Sequence, residues 1–208
     1  MILFHALNID AFHSRKKFGR SAPSVKTMMH NFFVGLLLFS PAAAAQSTRS
    51  GVHKVIIIAD VGIDDAGALL LALGSPALDI IGVVSAFGGH GDPKVTARNA
   101  FALVNAAGRS ADIPIIVGES WPLGSGKPLI LDDVTAAGAF HGPDGIAGLL
   151  GPLKEETDRE ASTACVANET SAAEFMAQAA RRHPGEVYVL CFSPLTNLAH
   201  ALAIEPRL

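Results

Sequence analysis

The run Val55-Ile56-Ile57-Ile58-Ala59 sets four β-branched side chains in a row and stops at Asp60. A strand wetted on one face alternates apolar with polar residues, whereas a strand apolar at every position has to be covered on both faces. Such a strand belongs in a parallel sheet between helical layers, and the rest of the chain supplies the parts. Residues 54–59, 78–86, 113–118 and 186–192 read as strands, and 66–73, 95–107, 171–182 and 195–204 carry helical spacing. Strands separated by helices pair in parallel through right-handed crossovers. The expected fold is therefore α/β, an open, mostly parallel sheet with helices on both faces. Residues 121–168 are richer in Gly, Pro and charge and read as a long loop region with short helices.

The charge balance narrows the partner. The 208 residues include 16 basic and 19 acidic ones, and no long single-sign run occurs, so there is no footprint for a nucleic-acid backbone. A small-molecule partner is expected, with homo-oligomerisation left open. Cys165 and Cys191 lie in no metal-ligand pattern and allow at most one disulfide. Cys191 ends an apolar run and reads as a small buried hydrophobe.

The N-terminal stretch differs from the rest. Residues 31–40, Asn-Phe-Phe-Val-Gly-Leu-Leu-Leu-Phe-Ser, are too few to span a bilayer and run into Pro41 and a stretch of alanines ending at Ala45. This is a signal-peptide pattern with cleavage near Ala45. It implies an exported protein, periplasmic or secreted, with no stable membrane span. Basic residues from Arg15 to Lys26 make the leading region long, which points to a start at Met28 or Met29. The competing reading is a disordered extension with an apolar patch. Either way, 1–45 is an N-terminal extension and 46–208 a single domain.

Asp60-Val61-Gly62-Ile63-Asp64-Asp65 follows the first strand. Ligands of open parallel sheets bind beyond the carboxyl ends of the strands, so Asp60 is a site candidate by position. Gly62 permits a tight turn, and Asp64 and Asp65 fall at the start of a helix, where free amides and the helix dipole favour carboxylates. Helix capping alone could account for two of the three acids. Against that, three carboxylates within six residues repel unless a cation or proton compensates. A hard cation with oxygen ligands fits, and a flexible turn suits calcium better than magnesium's strict octahedron.

Asp60-Val61-Gly62-Ile63-Asp64-Asp65-Ala66 resembles the Asp-Pro-Gly-x-Asp-Asp-Ala signature of the inosine-uridine-preferring nucleoside hydrolases. Further resemblances follow in the same order: Gly82 to Gly88, Thr96-Ala97-Arg98-Asn99-Ala100, Asp112 to Gly118, His141-Gly142-Pro143-Asp144-Gly145, and Ser193 to Ala199. Together they span residues 54–206. The resemblance implies a nucleoside hydrolase-like fold and cleavage of the N-glycosidic bond of ribonucleosides, to free base and ribose, by a calcium-activated water. It implies Asp60 as metal ligand and general base, Asp65 as metal ligand, and Asp64 as the carboxylate that binds ribose hydroxyls. It also implies a metal-directed main-chain oxygen at Phe192 and a nucleobase-side role for His141, with leaving-group protonation.

The chain departs from the family pattern at Ile58, where a further acid is usual, at Val61 in place of proline, and at Gly88-Gly89-His90, where a Gly-Asn pair is usual and its asparagine contacts ribose. The family also continues past the point matching Leu208, so the resemblance implies a truncated domain, incomplete at its C-terminus. The alternative function is a catalytically impaired exported protein that binds a ribosyl compound or calcium. A phospho-acceptor receiver domain fits poorly, because residues 113–118 end without the acceptor aspartate.

Overall fold

A computed structural model describes residues 51–124, 140–151 and 170–208. Strand β1 (His53–Ala59) lies inside a parallel sheet, flanked by β2 (Leu78–Ser85) and β4 (Val187–Cys191), with β3 (Ile115–Ile116) beyond β2. Helix α1 (Ile63–Leu73) connects β1 to β2 and α2 (Pro93–Ala106) connects β2 to β3, while α3 (Ala172–Arg182) precedes β4 and α4 (Thr196–Ile204) follows it.

The unbroken apolar run explains this layering. Val55, Ile57 and Ala59 point into one core with Leu69 of α1 and Ala97, Ala100 and Val104 of α2. Ile56 and Ile58 point into a second core with Met176 of α3 and Leu198 and Ala201 of α4. Successive residues of a strand face opposite sides, so each residue of β1 from Val55 onward meets a helix and none meets water. The expected open parallel sheet with helices on both faces is what forms.

The differences from expectation at α1 and β3 have identifiable reasons. Helix α1 begins at Ile63 rather than at residue 66, because the Gly62 carbonyl accepts the Ala66 amide at 2.9 Å and closes a turn that contains Asp64 and Asp65. Strand β3 is confined to Ile115–Ile116 instead of 113–118. Pro114 has no amide to donate; its carbonyl receives Val83 N–H at 3.0 Å, and the Gly118 amide turns to the Ser85 hydroxyl at 3.2 Å.

The β1–β2 register shifts between Val55 and Ile56, passing over Ile81. Just beyond, a Cβ built on Gly82 would come within 2.5 Å of the Phe175 ring, so α3 rests directly on β2 backbone there.

Residues 1–45, read as extension and signal peptide, lie outside the described residues, as does much of the 121–168 loop with Cys165. Cys191 is half-buried against the second core, and its thiol donates to the Ser193 carbonyl at 3.3 Å. Burial pushes that thiol up from its usual range, as suits a packing residue. Among the described residues no helix is long and apolar enough to cross a membrane.

Candidate active site

The chain leaves β1 at Ala59 while both neighbouring strands still hold it: Ala86 N–H donates to Ala59 O at 3.1 Å and Phe192 N–H to Ile58 O at 2.9 Å. Asp60 is therefore launched from a fixed point at the carboxyl end of the sheet. Its amide donates to Asp65 Oδ2 at 3.0 Å, folding the turn back on the first turn of α1. Its own Oδ2 accepts the Gly89 amide from the loop after β2.

This arrangement brings two carboxyl groups together, Asp65 buried and Asp60 half-buried. Burial pushes Asp65 up to about 9, helped by its hydrogen bond with Asp60 and the charges of Asp60 and Asp64. Burial also raises Asp60, opposed by the hydrogen bond from Asp65 and the Gly89 amide. Ionising both carboxyl groups together is therefore unfavourable. Asp64, one residue earlier on the helix, turns its carboxylate outward to solvent.

His141 reaches this turn from the segment 140–151. Its Nδ1 accepts the Ile63 amide at 3.1 Å, one of the free donors at the start of α1, and lies 4.0 Å from Asp64 Oδ1. With Nδ1 accepting, a neutral ring carries its proton on Nε2. The ring sits over Gly62, where an added Cβ would come within 2.5 Å of it. Phe140 meets the same ring edge-on, with centroids 4.8 Å apart.

Asp144 folds the segment. Its carboxylate accepts the amides of Ile146, Gly148, Leu150 and Gly151 at 2.7–3.0 Å, and these bonds hold it below the usual carboxylate range against the cost of burial. Arg98 of α2 donates to Gly151 O at 2.9 Å, and Asn99 donates to Asp144 O at 2.8 Å and Val61 O at 3.3 Å.

Asp60, Asp64, Asp65 and His141, singled out from sequence, thus converge on one turn. Phe192 follows the end of β4, its amide tied to the carbonyl of Ile58, two residues before Asp60, and its ring exposed. Sequence reading assigned no part to Gly89, Asn99 or Asp144. A signal existed for Asn99: it falls four residues after Val95 and four before Leu103, on the buried stripe of α2, where a polar side chain needs a partner.

Carboxyl groups held close together, with burial opposing their ionisation, are suited to a hard cation, which would relieve the repulsion. The chemistry of Asp60 and Asp65 fits calcium. Among the described residues no group of three or more His, Cys, Asp or Glu side chains is placed to hold a metal ion.

A family model described as inosine-uridine preferring nucleoside hydrolase matches residues 55–208. The chain is 36% identical over 165 residues to a probable uridine nucleosidase 2 of Oryza sativa subsp. japonica, covering 76% of this chain and 44% of that protein. It is 39% identical over 153 residues to uridine nucleosidase 1 of Arabidopsis thaliana, covering 73% and 40%. A plant nucleoside hydrolase structure superposes with a TM-score of 0.61 at 33% identity, over 74% of this chain and 44% of that one. The chain spans less than half the length of these relatives.

Proposed function

Because the chain belongs to the inosine-uridine preferring nucleoside hydrolase family, we propose that it hydrolyses the N-glycosidic bond of ribonucleosides, releasing free base and ribose. The observation that carries this reading is the Asp60–Asp65 pair at the carboxyl end of β1, Asp65 buried and Asp60 half-buried, with His141 docked on the same turn. A calcium ion held by Asp60, Asp65 and the main-chain oxygen of Phe192 supplies Lewis acidity and a fixed positive charge when bound.

Asp60 acts as general base, its Oδ2 held by the Gly89 amide. It takes a proton from water as the water oxygen bonds to the anomeric carbon and the C–N bond electrons leave with the nucleobase. The sugar passes through an oxocarbenium-like state, which anionic surroundings favour. Asp64, with its carboxylate exposed, binds ribose hydroxyls. His141 faces the nucleobase, and hydrogen-bond donation from Nε2 stabilises the charge gathering on the leaving group, which takes up a proton from solvent water to become the free base.

The test is release of reducing sugar from uridine and inosine by the full chain, with calcium and with EDTA, beside Asp60→Ala. Calcium-dependent release abolished by the substitution supports the reading. Binding of nucleoside or calcium without release, from folded protein, sinks it in favour of the impaired binding protein. Export is a separate part of the proposal, supported by the pattern of residues 31–45. Sequencing the mature N-terminus is expected to find a start near Gln46, and an unprocessed chain would contradict it.

A further inference from the structure

Asn99 is wholly buried on α2, a rare place for a carboxamide. Its Nδ2 donates to Val61 O at 3.3 Å and to Asp144 O at 2.8 Å, while its Oδ1 has no hydrogen-bond partner among the described residues. The side chain is thus used as a two-way donor, with its acceptor left idle at a cost. What it joins is informative. Val61 lies between Asp60 and Gly62 in the acidic turn, and Asp144 is the residue around which the His141 segment folds. Two residues past Val61, Ile63 donates to His141 Nδ1. The contacts close a circuit from Val61 through Asn99, Asp144 and His141 to Ile63 and back.

We propose that Asn99 is a positioning residue of the site, whose carboxamide locks the acidic turn to the His141 segment so that carboxylates and imidazole keep one relative geometry. The catalytic consequence rests on the hydrolase reading; the coupling itself does not. Asp at this position supplies no donor and sets a charge against two carbonyls. Ala leaves both carbonyls without this donor.

The experiment uses the full chain with 15N-labelled histidine and backbone amides, the His141 signals being identified by their loss in His141→Gln. In the unsubstituted chain, Nδ1 of His141 is expected at the position of an acceptor nitrogen, with a through-bond coupling to the Ile63 amide nitrogen. The Asn99 carboxamide protons should exchange far more slowly than those of exposed Asn105. Asn99→Ala and Asn99→Asp should lose the coupling while the chain stays folded. Where uridine turnover is present, kcat should fall by about 10²-fold, the scale of a misplaced catalytic group.

A merely structural role would lower the melting temperature and leave the His141 signature unchanged, so a folded Asn99→Ala that keeps the coupling overturns the proposal. If neither variant folds, the unsubstituted chain decides. Absence of the Ile63–His141 coupling, or solvent-rate exchange of the Asn99 carboxamide, overturns it, and their presence supports it. A chain without turnover refutes the hydrolase reading and leaves these spectroscopic outcomes to decide the coupling.

Discussion

The amide of Asp60 donates to the carboxyl group of Asp65 at 3.0 Å, so the turn that brings these two acids together is closed by one of them. The geometry makes ionising both unfavourable, and Asp65 titrates near 9 against an ordinary 3.8. The folded chain therefore binds a proton there that the unfolded chain has already lost. The resulting stability is fully present below about 3.8 and is lost as the pH rises through about 9. In EDTA the melting temperature should fall across that window. Asp65→Asn, neutral at every pH, should flatten the slope. Thermal melts at pH 5, 7 and 9 check this, and parallel slopes for the two chains would refute it.

Asp144 has the opposite sign. Its carboxyl is held below 3.8 by four amides of its own segment, so its contribution is present above that value and disappears as the pH falls through the lower folded value. Asp144→Ala removes the acceptor and strands partly buried donors, a loss of about 1–3 kcal/mol for each group left unsatisfied. The segment is expected to loosen, with faster hydrogen exchange at Ile146 and Gly148. Unchanged exchange there would show that the carboxylate does not organise the loop.

The sheet was legible because its evidence is local. Five apolar residues from Val55 to Ala59 announce a strand covered on both sides, and the alternation with helices dictates parallel pairing. The acidic turn was legible for the same reason, since three carboxylates in six residues are conspicuous wherever they fold. What joins the turn to its surroundings was not. Gly89 acts through its amide, and a sequence does not say where an amide points. Asp144 sits in a Gly- and Pro-containing stretch that reads only as a turn, and its partners exist only once residues 146–151 wrap around it. Residues 113–118 look like a longer strand than forms because apolar character says nothing of whether a neighbour offers hydrogen bonds.

Met176 tests the second core. It is fully buried beneath β1 among Ile56, Ile58 and Leu198. Met176→Ala should cost about 2–5 kcal/mol, depending on how far the site collapses. Urea unfolding followed by circular dichroism should show a lower midpoint with an unchanged slope. A loss under about 0.5 kcal/mol, the range of surface substitutions, would mean that α3 is not seated on the sheet as described.

The last prediction concerns Gly88 and Gly89, where the family pattern places Gly-Asn and this chain has two glycines before His90. Gly88 has φ near +143°, and a Cβ there would run into the Asp60 carboxylate; at Gly89 it would lie 2.5 Å from the Asp60 carbonyl oxygen. The loop backbone thus lies directly on Asp60, which lets the Gly89 amide reach Oδ2. Gly88→Ala should destabilise the fold by about 1–3 kcal/mol through backbone strain alone. It should also weaken calcium binding measured by calorimetry, because the added methyl displaces the oxygen that the proposed site relies on. Gly108 has φ +70° with open space around it, so Gly108→Ala carries strain without touching Asp60 and serves as the control. Equal calcium affinity in the two variants would show that the glycines serve the turn and not the carboxylate.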